Sequence, residues 1–166
     1  MTEPTGPLKG FRILDLTTVL FGPFGTQTLG DWGAEVIKVE SLTGDTWRTS
    51  GQFRNRGMSG QFMAANRNKR SIALDLKHPD GKGVLRRLIP SVDALVSNIR
   101  PAGLARLGFS YETCAALNPR LIYAVATGFG RTAPGAPGRR STRSSRRHPA
   151  SPRRWEPTRN QPSSPA

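Results

Sequence analysis

Few side chains in this chain have the type and spacing for chemistry. His78 and His148 are the only histidines and Cys114 the only cysteine, so no metal-ligand spacing is present and no internal disulfide can form. Cys114 lies in an apolar helical pattern and reads as packing, and a lone thiol fits a reducing cytoplasm. Asp15 and Asp75 end apolar runs and read as structural carboxylates rather than nucleophiles. His148, in the context RRHPAS, has no partner for acid or base work. The remaining candidate is Glu40, which closes a strand–helix–strand pattern about where a ribose-binding acid sits in dinucleotide domains. The glycines argue against that site. A pyrophosphate loop needs Gly-x-Gly-x-x-Gly directly after the first strand, whereas TTVLFGPFG intervenes here and Pro23 deletes an amide donor.

The elements that must position any site alternate in type. FRILDL (11–16) reads as a strand, TTVLFGPFG as a loop punctuated by Gly22, Pro23 and Gly25, TQTLGDWG as a short helix ending at Gly33, and AEVIKVE (34–40) as a second strand. A polar, Gly-rich loop spans 44–60. RSIALDLK (70–77) reads as a third strand, followed by a helix that starts at Pro79 with a stripe of Val84, Leu85, Leu88 and Ile89. Asp93 turns the chain into a fourth strand, ALVSNI. PAGLARLGFSYETCAALNPR carries helical segments broken near Gly108, and LIYAVATGFG reads as a fifth strand. The expected fold class is α/β, a Rossmann-like parallel sheet.

Charge divides the chain unevenly. The net charge of +14 is made of about +6 before Arg131 and +8 from Arg131 onward, where nine arginines face one acid, Glu156. Those last residues contain seven prolines, six serines and no Leu, Ile, Val, Met or Phe, so 135–166 is expected to be a disordered tail. The N-terminus lacks a signal-peptide pattern and no apolar run is long enough to span a membrane, which points to a cytoplasmic protein.

Four stretches carry a sharper signal: GFRILDLTTVLFGPFGTQTLGDWGAEVIKVE, NRNKRSIALDLKHPDGKGVLRRL, ALVSNIRPAGLARLGF and SYETCAALNPRLIYAVATGFG. In this order and spacing the chain resembles the family III CoA-transferases (CaiB/BaiF), the group that includes formyl-CoA transferase, carnitine CoA-transferase and the α-methylacyl-CoA racemases. The resemblance covers about 7–134 and implies the N-terminal part of the family's large domain, incomplete as it stands. It implies coenzyme A or acyl-CoA as the ligand, with no metal. Leu74 and Lys77 would flank the adenosine end, Asn98 and Ile99 would line the pantetheine path, and Arg106, with Arg100 beside it, would meet phosphate. Guanidinium and ammonium groups suit the diphosphate and ribose phosphate of such a ligand. Val19, Leu20 and Phe21 fall in the loop that relatives place near the thioester. Leu20 stands where the formyl-CoA enzyme has Gln, and Ser41 where many relatives carry a nucleotide-contacting Arg, for which Arg48, Arg54 or Arg56 would have to compensate.

The family's nucleophilic aspartate, and the His and Asp of its racemase branch, fall beyond the GFG strand. No catalytic residue is therefore assigned to this chain, and the interlocked homodimer of the family is not expected for it. The expectation is a CoA-binding, catalytically incompetent portion of a transferase, with an acyl-CoA racemase relative as the alternative, and with 135–166 the product of a shifted reading frame. Translating the other frames of the gene past codon 134 tests that origin: a continuation containing the family's aspartate is expected in one of them, and its absence from all would sink the idea. A binding protein that holds nucleic acid nonspecifically through its basic tail is the reading from a different class. Deletion of 131–166 should abolish any salt-dependent DNA shift, and DNA binding that survives the deletion would contradict its assignment to the tail.

Overall fold

The computed structural model describes residues 5–128. His148, the expected disorder of the tail and the end of the GFG strand lie outside them. The described residues form one sheet of five strands: β1 (Arg12–Leu16), β2 (Glu35–Glu40), β3 (Lys69–Ala73), β4 (Ala94–Ser97) and β5 (Ile122–Val125). Every neighbouring pair is parallel and the spatial order is β3-β2-β1-β4-β5. The chain therefore steps outward from β1 in one direction and then returns to β1's other side at β4. That reversal leaves a crevice beyond the carboxyl ends of β1 and β4, the usual ligand position in open α/β sheets.

Helices cover both faces. On one lie α3 (Pro79–Leu88), α4 (Pro101–Leu107) and α5 (Tyr111–Leu117). Leu14, Leu16, Val39 and Leu95 of the sheet pack there against Leu85, Ile89, Leu104, Phe109 and Cys114. The expected stripe of α3 is the face that is buried, with Leu85 and Ile89 fully enclosed and Val84 and Leu88 packed beside them. Burial of side chains of this size contributes roughly 1.5–3 kcal/mol each. Gly108 ends α4 in the left-handed region at φ +86°, the break read from the sequence. Cys114 is fully buried, and burial pushes its thiol up to about 11, so it is a packing residue with almost no thiolate at neutral pH.

The other face carries α1 (Phe21–Asp31) and α2 (Gly60–Asn66) over a small apolar cluster of Ile13, Ala34, Val36 and Ala94. Three elements depart from the sequence expectation. Helix α1 begins at Phe21, inside the stretch read as a loop, because Pro23 falls in the first turn, where a missing N–H costs no helical bond. Gly22 is required there, since a Cβ would lie 2.5 Å from the Thr17 side chain. Strand β3 ends at Ala73 rather than Lys77, because its partner β2 ends at Glu40, which pairs with Ala73. The polar loop of 44–60 contains a single 3₁₀ turn, Thr46–Thr49, capped by the Asp45 carboxylate, and α2 opens at its end with Ser59 as N-cap.

Candidate functional site

The site is built where β1, β2, β3 and β4 release the chain. After Leu74, whose N–H still donates to the Glu40 carbonyl at 2.8 Å, the segment Asp75–Lys77 turns away from the sheet. Lys77 N–H donates to Asp75 Oδ1 at 2.9 Å, closing that turn. Together with Ser41–Thr43 after β2 and Ile99 after β4, these residues enclose a cleft of about 410 Å³. Its walls are Leu16, Val39, Leu74, Ile99 and Leu107, and Lys77 is its one cationic lining residue.

Beside the cleft, polar side chains from the α1/α2 face do the positioning. Lys38, 1% exposed in its side chain, forms an ion pair with Asp45 at 3.0 Å and donates to the Thr17 carbonyl at 2.8 Å. Lys69, equally buried, forms a second pair with Asp15 at 2.9 Å and donates to the Pro23 carbonyl, Thr26 Oγ1 and Asn66 Oδ1. Burial lowers the Lys69 pKa, an effect that Asp15 opposes. Asp15 also accepts from Thr17 N–H and Oγ1 and from Thr26 Oγ1, a full set of partners that makes it a structural carboxylate.

Glu40 is committed as well. Its carboxylate receives two Arg48 N–H groups at 2.7 Å each, the Asp45 N–H at 2.9 Å and the Ser71 hydroxyl at 2.9 Å. Burial on its own raises this carboxyl, but Arg48, the Asp45 amide and Ser71 outweigh it and hold the pKa at about 2. Glu40 touches the cleft as a lining residue while its oxygens face inward to Arg48. Arg48 is thus spoken for, stacked 3.9 Å over the Phe62 ring, and does not stand in for the arginine missing at Ser41. Ser41 instead hydrogen-bonds Thr43 and the Gly44 carbonyl. Arg54 and Arg56 are exposed on the loop that follows.

Of the residues expected at the site, the fold gathers Leu74, Lys77 and Ile99 on the one cleft. Val19, Asn98, Arg100 and Arg106 do not line it. Asn98 has both ends of its amide on the Thr18 backbone, accepting from the N–H at 3.1 Å and donating to the carbonyl at 2.9 Å. Val19 sits on the adjoining loop at φ +72° and is 41% exposed. Arg100 caps the start of α4 and Arg106 lies in its last turn, both exposed. Sequence reasoning passed over Lys38, Asp45 and Leu107. A lysine amid the apolar strand AEVIKVE was the available signal, since a charge there must be paired when the strand is central. Among the described residues no group of three or more His, Cys, Asp or Glu side chains is placed to hold a metal ion, and no helix is long and apolar enough to cross a membrane.

A five-stranded parallel sheet in this order, with its cleft at the carboxyl strand ends, defines a Rossmann-like α/β domain, and in open sheets of this kind the switch point is where ligands bind. The sequence profile of CoA-transferase family III matches residues 8–141, and the chain belongs to that family. It is 45% identical over 133 residues to acetyl-CoA:oxalate CoA-transferase of Acetobacter aceti, a match that takes in 80% of this chain and 34% of that protein. It is 50% identical over 124 residues to formyl-CoA:oxalate CoA-transferase of Afipia carboxidovorans, covering 74% of this chain and 29% of that one. The crystal structure of a CAIB/BAIF family protein from Brucella suis superimposes with a TM-score of 0.75 at 43% identity, over 80% of this chain and 36% of that one. The chain thus spans about a third of the length of the relatives it matches.

Glu40 gives the assembly an acid-sensitive component. A carboxyl held at about 2 in the folded state and near 4.5 when unfolded stabilises the fold above pH 4.5, and that contribution is lost as pH falls from about 4.5 to 2. Urea denaturation of Glu40→Gln should show a loss on the order of 3 kcal/mol at pH 7 that shrinks toward zero by about pH 2. A deficit independent of pH would assign the loss to packing instead.

Proposed function

We propose that this chain is the CoA-binding portion of a family III CoA-transferase, with residues 7–134 its family domain and 135–166 a separate tail. The observation that carries this reading is the cleft at the carboxyl ends of β1 to β4, with aliphatic walls and a single ammonium. Leu74 and Ile99 offer flat apolar surface for an adenine ring, and Lys77 stands at the same cleft to meet a phosphate. Arg100 and Arg106, exposed at the two ends of α4, supply further charge for the diphosphate or ribose phosphate. The pantetheine arm then runs past Ile99 and the Asn98 main chain toward the loop that bears Val19.

In an intact enzyme of this kind, a carboxylate attacks the thioester carbonyl and expels the CoA thiolate, leaving a mixed anhydride. The thiolate then attacks the anhydride at the enzyme's own carbonyl, forming an enzyme thioester and freeing the acyl group as a carboxylate. The acceptor carboxylate finally takes the CoA by the same pair of exchanges. Of the two carboxylates that line the cleft, Glu40 is saturated by Arg48, the Asp45 amide and Ser71, and Asp75 closes its own turn by accepting from Lys77 N–H. Asp15, beside the cleft, is saturated by Lys69, Thr17 and Thr26, and none of the three is assigned as that nucleophile. The chain is therefore assigned binding of CoA and acyl-CoA without turnover.

Titration calorimetry of the full chain with CoA and with adenosine 3′,5′-bisphosphate tests the assignment. Both ligands are expected to bind, and Lys77→Glu should weaken each by about tenfold or more, the scale of one charge-assisted hydrogen bond. The effect should fall with added salt because Lys77 is exposed. Absence of heat with either ligand at millimolar concentration would refute the reading.

A further inference from the structure

The loop between β1 and α1 is held by side chains from four places in the sheet layer. Thr17 N–H donates to Asp15 Oδ1 at 2.9 Å and the Thr17 carbonyl accepts from Lys38 Nζ at 2.8 Å. Asn98 grips Thr18 from both sides, at its N–H and its carbonyl. Val19 N–H donates to the Asp45 carboxylate, 3.2 and 3.3 Å from its two oxygens. Consecutive peptide groups are thus each fixed by a residue of a different element.

What this grip maintains is a strained backbone. Val19 is β-branched, yet it holds φ at +72°, a region such residues rarely adopt. Packing does not explain it, because Val19 and the next residue, Leu20, are 41% and 48% exposed. A loop selected only to turn the chain would place glycine at this position. Strain carried at an exposed residue, and enforced by a buried ion pair, indicates a conformation kept for what it presents outward.

We propose that Asp45, its partner Lys38, and Asn98 are positioning residues that hold Thr17–Val19 in the strained form, so that the loop is preorganised for the thioester arm of an acyl-CoA. This rests on the CoA reading above. Lys38 fixes the Asp45 carboxylate, which at once caps the 3₁₀ turn through Trp47 N–H and restrains Val19. A loop ordered in advance spares the ligand the entropy of ordering it.

The test uses the full chain with acetyl-CoA and adenosine 3′,5′-bisphosphate as probes, and amide hydrogen exchange at Thr18 and Val19. Asp45→Ala alone would leave the Lys38 charge buried and unpaired, so the variants are Asn98→Ala and the double change Lys38→Met with Asp45→Ala. Each is expected to speed exchange at its own loop amide by about tenfold while strand amides such as Val36 keep their protection. Each should weaken acetyl-CoA by about tenfold and leave the bisphosphate within about twofold. Lys38→Met with Asp45→Asn, which keeps an acceptor for Val19 N–H, should recover most of the acetyl-CoA affinity. Equal weakening of both probes, or unchanged exchange at Thr18 and Val19, overturns the proposal while the CoA reading stands. Failure of the unaltered chain to bind either probe overturns that reading and the proposal with it.

Discussion

Two ammonium groups buried in the layer between the sheet and helices α1 and α2 set the terms for the rest of the structure. The side chains of Lys38 and Lys69 are each 1% exposed, and each must find a carboxylate and further acceptors to offset desolvation of several kcal/mol per ion. The acceptors they find are main-chain carbonyls of the loop and of the first turn of α1, Thr17 and Pro23. Satisfying the charges therefore fixes where β1 ends and where α1 starts. Replacing either aspartate would leave a charge without its counterion, which makes these pairs more informative about geometry than about net stability.

The consequence is spatial. Parallel strands deliver their carboxyl ends to one edge, and the reversal between β1 and β4 opens a crevice at that edge. On one side of the sheet the aliphatic ends Leu16, Val39, Leu74 and Ile99 form the cleft. On the other side the buried ion pairs brace the neighbouring loop. An apolar cleft and a rigid polar brace thus share the same strand ends, because successive residues of a strand face opposite sides. Leu16 and Asp15, or Val39 and Lys38, are adjacent in sequence yet serve different layers.

Register does not by itself reveal the pairing of the charges. Asp15 and Lys38 are cross-strand partners, so the sheet pattern alone joins them. The structure instead ties Asp15 to Lys69, which lies opposite Val36 on the far strand, and sends Lys38 to Asp45 in the loop after β2. Long, flexible lysine side chains reach past the nearest register position, and the choice depends on which acceptors α1 and α2 bring overhead. Nothing in AEVIKVE or SLTGD states that choice. The same holds for Asn98, whose amide is spent on Thr18, eighty residues away in the chain.

The sequence by itself determined the alternation of strands and helices, the apolar stripe of α3, the break at Gly108 and the family to which the chain belongs. Those features follow from local periodicity, from backbone rules at Gly and Pro, and from motifs that run continuously along the chain. The helical start at Phe21 was hidden because Gly22 and Pro23 read locally as loop residues, although a first turn tolerates both. Only the tertiary structure decided that Leu74, Lys77 and Ile99 share one cleft, that Glu40 is neutralised by Arg48, and that a valine is held in a left-handed conformation. Each depends on groups far apart in sequence meeting at one strand edge, where burial makes an unpaired charge or amide too costly to leave.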